Sequence, residues 1–538
     1  MDFLPWHDPL DTVIGFVARQ GYYKPYALWR EGAWVYEAEA TQTALPLNQA
    51  IYLIRHVPVV WSVPPYTRVR FDQCSRKTQL LSVQHGQYTR RRGGLSFLYR
   101  RRTRIGEYLG QTTDHYNVGL SLYAPIKRWW LFADGGWNQL QDGVNGGVLY
   151  ETSPQEAFLK ERQLVRMNGA RLRRWYRFVE GEVGFQLSSR HRLFLRGRLS
   201  EDRIEVTTEP ALRSESTLYP DTISFSTDSR QWISTAEMGI ISPLWTGRLR
   251  YLYDHGQLRS ITRGKWAAAA IEGDFSAQVR NFSLQARYRQ WIGPSTPAPS
   301  FFVEGRKQLK TYEIGASHER RNLPWFAYLS TPSAMAQNEA VWRAWVEKAF
   351  TSSDTTIPPI TLRSWLTRWT NAWLADSTFQ SRRPLWAVGL TLRGGWRKKA
   401  LGFVAGLSVQ RVWEAEASWR HALPVVSGWI QPFVRWQIRQ TPPVYHLGVR
   451  LSGFTRFQPM AYALPMTTFY IEPNYTALFQ PPYIWADPYF VILIRRVMVY
   501  LRIEHLSEGL LGHGYYLAAW YPMPGRGFSF GVQWDIYN

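Results

Sequence analysis

The 538-residue chain carries 64 Lys and Arg against 41 Asp and Glu, a formal charge of +23, and its 27 Trp, 30 Tyr and 26 Phe make up 15% of it. Its longest apolar run, Tyr515–Tyr521, is seven residues, far short of the about 20 that an α-helical membrane span needs. The single cysteine, Cys74, excludes an intramolecular disulfide and a cysteine-cluster metal site, and a charge this basic points to nucleic acid, an anionic surface or a charged pore.

Residues 1–75 lack sustained alternation and include the proline-rich stretch Pro58–Pro65. They read as an N-terminal periplasmic or plug-like segment. Met1–His7 has neither a basic nor an apolar leader pattern, so no secretory signal is visible in this sequence.

From residue 76 to 538 period-two alternation dominates, the mark of strands with one apolar and one polar face. Leu95, Phe97 and Tyr99 alternate with Ser96, Leu98 and Arg100. Tyr116, Val118, Leu120 and Leu122 alternate with Asn117, Gly119 and Ser121, and Pro125 with Lys127 marks a tight reversal into Trp129–Trp137. The polar, glycine-containing Asn138–Asn168 follows as a long loop. Val179–Leu187, the turn Ser189-Arg190-His191 and Leu193–Leu199 make the clearest hairpin. A Ser/Thr-rich acidic segment to Arg230 is a second long loop, and strands follow near Trp232–Ile241, Trp245–Asp254, Lys265–Phe275 and Arg280–Gln290. Between Lys307 and Phe379 the pattern weakens, and Trp342, Trp345 and Ala349 are spaced as on a short amphipathic helix over Ala340–Phe350. Alternation returns through Trp386–Leu392, Leu401–Val409, Val434–Ile438, Tyr445–Leu451, Tyr489–Arg495 and Val497–Glu504.

The chain ends in its most regular strand. Phe528, Phe530, Val532, Trp534 and Ile536 share one face and Ser529, Gly531, Gln533 and Asp535 the other, which is the form of a barrel-closing strand with lipid on one side and water on the other. The expected fold is therefore all-β: a single transmembrane antiparallel β-barrel of about 16 strands, with 14 to 18 open, short periplasmic turns and long external loops.

The final hairpins carry a resemblance. Ala486-Asp487-Pro488-Tyr489, Val499–Leu506, Tyr521-Pro522-Met523-Pro524-Gly525-Arg526 and Phe528–Trp534, with Trp137–Val148 nearer the start, are similar to the family described as "putative porin" in Bacteroidota outer membranes. The resemblance implies an outer-membrane pore of unspecified solute, supplies no catalytic residues, and is contrasted by the missing leader.

If the apolar face meets lipid, the opposite parity lines the lumen. It carries Arg100, Arg196, Arg198, Arg248, Arg250, Arg287, Arg289, Arg393, Arg435, Arg439, Arg450 and Arg502, against the fewer acids Glu180, Glu182, Asp254, Glu504 and Asp535. Rings of arginine in a pore select anions. The bland alternative is that these arginines are wall residues paired with acids in a filled lumen. Arg90–Arg92 and Arg100–Arg102 lie near strand ends, where contact with lipid or lipopolysaccharide phosphates and a simple solvated rim are both expected outcomes.

An enzyme is not expected. The 11 histidines are scattered with no metal spacing, no metal or other cofactor is implied, and Gly527–Gly531 matches Gly-x-Ser-x-Gly only inside a strand, without the sharp turn such a serine needs. His446 and His505 read as wall histidines. Arginines spread over nearly every strand at fixed parity also argue against nucleic-acid binding. The expected function is an outer-membrane porin passing small hydrophilic, preferably anionic solutes. A plugged barrel serving as a structural or docking part of an envelope assembly is the alternative, and a soluble basic β-protein a third. Expected partners are outer-membrane lipid and lipopolysaccharide, the barrel-assembly machinery, and further copies or an envelope complex.

Overall fold

The computed structural model describes residues 27–30, 33–36, 65–74, 78–89, 93–105, 112–143, 171–207, 226–259, 263–292, 299–322, 338–350 and 360–373. It further describes 382–414, 424–438, 443–458, 461–463, 468–470, 481–509, 516–518, 521–522 and 525–537. Twenty-two antiparallel strands close into one barrel. In chain order they are β1 (Tyr66–Cys74), β2 (Thr78–Thr89), β3 (Gly93–Arg104), β4 (Thr113–Ile126), β5 (Trp129–Gly143), β6 (Arg171–Gln186) and β7 (Arg192–Thr207). Next come β8 (Ser226–Ile241), β9 (Trp245–Arg259), β10 (Arg263–Val279), β11 (Phe282–Ile292), β12 (Ser300–Leu309), β13 (Tyr312–Asn322), β14 (Asn338–Phe350) and β15 (Ile360–Trp373). The ring is completed by β16 (Arg382–Lys398), β17 (Leu401–Glu414), β18 (Val426–Gln437), β19 (Val444–Phe454), β20 (Tyr483–Ile494), β21 (Val497–Glu504) and β22 (Gly527–Tyr537). Three short ribbons, the first pairing Ala27–Arg30 with Ala33–Tyr36, lie outside it.

The barrel is larger than the expected 16 strands. The six strands beyond those the alternation shows are β1, β2 and β12 to β15, of which β13 to β15 lie within the weakly alternating Lys307–Phe379 region. The helix suggested over Ala340–Phe350 is strand β14. Its helical spacing is accidental, since Trp342 stands exposed on the outer face while Trp345 is buried on the inner one. The barrel also starts at Tyr66, ten residues before the alternation becomes obvious, because β1 is short and follows directly on the proline-rich stretch. At about 4.8 Å between strands and a tilt of about 40°, 22 strands make a ring roughly 45 Å across.

The parity expected of a membrane barrel is present. Leu193, Leu195 and Leu199 on β7, Val179 and Val183 on β6, and Leu249 and Tyr251 on β9 are exposed on the outside, while the charged residues between them face the lumen. Every connection between β1 and β22 alternates between two rims. Turns of only two residues, at 127–128, 280–281, 310–311, 399–400 and 495–496, all lie on the rim where Tyr66 and Tyr537 meet. The strand ends at Gly143 and Arg171, and at Thr207 and Ser226, lie on the other. Short turns face the periplasm.

β22 closes the ring. It pairs with β21 from Val497↔Trp534 to Glu504↔Gly527 and with β1 from Ser529↔Cys74 to Tyr537↔Tyr66. Phe528, Val532 and Trp534 are exposed on the outer face, with Phe530 and Ile536 of the same parity half-buried. On the inner face Asp535 accepts from Tyr66 Oη at 2.9 Å and Arg68 Nε at 2.6 Å. Tyr500 of β21 reaches across β22 to donate its hydroxyl to Asp72 of β1 at 2.8 Å. The crossing is possible because Gly531 lies between them in register; a Cβ there would collide with both side chains. The same device, a lumen-facing ring laid over a directly opposed glycine, joins Trp365 to Gly389 and Trp345 to Gly315.

Two outcomes follow. Gly531→Ala should displace the Tyr500 ring and lower stability by about 2 kcal/mol, seen as a lower temperature for loss of heat-modifiable migration in detergent gels. Leu195→Arg places a charge on the lipid face and should cost roughly 2–4 kcal/mol, read by denaturant titration in vesicles, while the same change at lumen-facing Ser200 should cost far less.

Candidate functional site: the charged lumen wall

On the inner face of six consecutive strands the charges stand in a ladder. Glu182 on β6 lies directly opposite Arg196 on β7, which faces Glu237 on β8. Glu237 faces Arg250 on β9, Arg250 faces Glu272 on β10, and Glu272 faces Arg289 on β11. Directly opposed side chains of opposite charge stabilise an antiparallel pair, and here the pattern repeats without a break. Arg196 Nη2 meets Glu182 at 2.5 Å, Arg250 Nη2 meets Glu237 at 2.5 Å and its Nη1 meets Glu272 at 2.9 Å, and Arg289 Nη2 meets Glu272 at 2.5 Å. Glu237 and Glu272 are almost fully buried, at 2% and 3% exposure.

Neighbouring levels are compensated too. Arg198 bonds Glu180 at 3.1 Å and the Tyr176 hydroxyl at 2.8 Å, and Arg287 pairs with Asp274 at 3.2 Å. Trp130 Nε1 donates to Glu182 at 2.8 Å. Six arginines of this sector, among them the exposed Arg248 opposite Asp274, thus face five carboxylates. Carboxylates at this density cancel the field that unpaired guanidinium groups would project into the lumen.

The other sequence-selected arginines, Arg248 apart, are not gathered with these. Arg502 pairs with Glu504 and donates to Ser529 Oγ at 3.2 Å. Arg450 is buried opposite Asp487, its guanidinium 4.0 Å from the Trp429 ring centre. Arg435 stands opposite His446, Arg393 opposite Thr361, and Arg100 opposite Ser82 and Asn117. Arg248 is solvent-exposed opposite Asp274. Arg439 and Arg90–Arg92 lie outside the described residues, as do most of residues 1–75. Of the strand-end group, Arg101 faces outward, 3.5 Å from Asp114 and 4.6 Å from the Tyr116 ring centre.

Glu237, Glu272 and Asp274 were missed in the sequence reading. They sit among alanines and glycines, Ala236 and Gly239 or Ala270 and Gly273, where small residues blur the apolar face. Their role also depends on register across strands, which no single strand shows. Ser529, the serine of the Gly-x-Ser-x-Gly match, is fully buried near the start of β22 beside Arg502, and Cys74 is a free thiol at the end of β1. Among the described residues no group of His, Cys, Asp and Glu is placed to hold a metal ion.

Residues 444–538, from β19 to β22, match the family described as "Putative porin". The chain is an outer-membrane β-barrel. The match takes in the closing strands on which the resemblance rested, and Trp137–Val148 lies outside the matched span. No curated protein matches the chain. Among solved structures it is similar to the ferripyoverdine receptor of the outer membrane of Pseudomonas aeruginosa, with a TM-score of 0.67 and 9% identity over 89% of this chain and 72% of that one. It is also similar to the siderophore receptor PiuA from Acinetobacter baumannii, with a TM-score of 0.62 and 8% identity over 89% and 82% of the two chains. The copper transporter OprC gives a TM-score of 0.65 and 9% identity over 90% and 81%. At such identities the likeness is one of fold.

Glu272 holds two guanidinium groups, so Glu272→Ala should destabilise the barrel by about 1–3 kcal/mol. Arg306→Ala, which removes an exposed partner of Glu304, should change stability by under about 1 kcal/mol. Parallel denaturant titrations of the two variants compare them.

Proposed function

We propose that this barrel transports hydrophilic solutes across the outer membrane through a lumen whose wall is locally neutral and selects little by sign of charge. The observation that carries the reading is the Glu182–Arg289 ladder, in which each guanidinium group is matched by a carboxylate. The overall arginine excess suggested an anion preference; ion pairing removes the support for it in this sector. No catalytic step is assigned, because the nucleophile-like Ser529 is buried in a regular strand.

A second reading is a gated transporter whose lumen is occupied at rest. It is favoured by inward-facing Leu140, Leu172 and Val206, at 0%, 0% and 2% exposure, since an open aqueous channel leaves wall side chains wet. Barrels of 22 strands commonly carry a plugged lumen, and the similar solved structures are named as a ferripyoverdine receptor, a siderophore receptor and a copper transporter.

Planar-bilayer recording of the full chain separates the two. An open barrel should give steady steps with a cation-to-anion permeability ratio near one, and Glu182→Gln with Glu237→Gln and Glu272→Gln should shift the reversal potential several-fold toward anions. A strongly anion-selective wild type would sink the neutral-wall reading. Silence from heat-modifiable, folded protein would favour the gated one.

A further inference from the structure

The two-residue turns on the rim where the chain closes share a feature that transport does not use. Each opens with a basic residue at positive φ: Lys127 at 55°, Arg280 at 50°, Lys310 at 51°, Lys399 at 54° and Arg495 at 50°. Glycine and asparagine enter that region most readily, and long side chains are disfavoured there. None of the five turns opens with either. Arg128 and Arg496 occupy second positions, so seven of the ten turn residues are basic and none is acidic. The repeated choice serves charge at the expense of backbone ease.

Their depth is set by what flanks them. Ile126 and Trp129, Val279 and Phe282, and Leu309 and Tyr312 border three of the turns, all exposed on the outer face; Leu401 and Ile494 border the others. The apolar belt thus runs to the edge of four of the turns, and at 399–400 to Leu401 on one strand and Trp396 on the other, with exposed Lys398 beyond it; the cations begin where hydrocarbon ends. That is the level of headgroup phosphates. The side chains of Lys127, Arg128, Arg280, Lys310, Lys399 and Arg495 are exposed and form no ion pair with a described carboxylate. Arg496 instead donates to the Tyr537 carbonyl at 2.7 Å and lies over that ring.

We infer that this rim is a collar for anionic phospholipid headgroups of the periplasm-facing leaflet, with turn cations pairing with lipid phosphates. The five turns join β4 to β5, β10 to β11, β12 to β13, β16 to β17 and β20 to β21, so they are spread around the ring. An acidic protein docking from one side would meet only an arc of them, whereas annular lipid meets them all.

The test uses the full chain reconstituted into vesicles of phosphatidylcholine containing a minor fraction of phosphatidylglycerol, re-extracted gently, with retained lipid read by native mass spectrometry. Each cation–phosphate contact should raise local phosphatidylglycerol occupancy about fivefold, and the enrichment should fall in about 1 M salt. The combined variant K127N/R280N/K310N/K399N/R495N should lose it while keeping heat-modifiable migration, since asparagine accepts these turn conformations. Arg248→Asn with Arg306→Asn, which removes exposed lumen charge, should keep it. Equal retention of the two lipids by the wild type, or enrichment unchanged in the folded rim variant, overturns the proposal.

Discussion

A strand crossing hydrocarbon must pair every backbone N–H and C=O with a neighbour, because no water is present to satisfy the remainder. The whole molecule depends on this through a single seam. β22 is bonded on one side to the strand before it and on the other to β1, more than 450 positions away in sequence. Without that closure two strand edges would stand open in lipid. The seam is accordingly reinforced by side chains: Asp535 takes bonds from Tyr66 and Arg68, and Tyr500 spans the final strand at Gly531 to reach Asp72.

The same scarcity of water sorts the charge. Along the outer face the lipid belt admits Leu, Val, Phe and Trp, so charged residues must point inward or lie beyond the belt. Inward, along β6 to β11, they are placed opposite one another in register, which offsets most of the arginine charge of that sector. At the rim the turn cations are left uncompensated. The excess of positive charge is therefore unevenly distributed, and where it sits matters more than its total.

Much of this was visible in the chain. The alternation of Phe528, Phe530, Val532, Trp534 and Ile536, or of Leu193, Leu195 and Leu199, states which face meets lipid, because successive side chains of a regular strand point to opposite sides. Tight reversals at Lys127 and at Ser189–His191 were equally plain. The strand number was not, since β1 is short and β12 to β15 mix aromatic and charged residues so evenly that Trp342 and Trp345 imitate a helix. The carboxylates Glu237, Glu272 and Asp274 escaped notice for a related reason: their neighbours are too small to announce a face.

By itself the sequence determined the class of structure and the membrane-facing parity, both of which follow from the two-residue period of one extended strand. Only the tertiary structure decided how many strands close the ring, which glutamate stands against which arginine, and that five basic turns share one rim. Those are matters of register and closure between strands, and hydrogen bonding between distant segments sets them where no local pattern can.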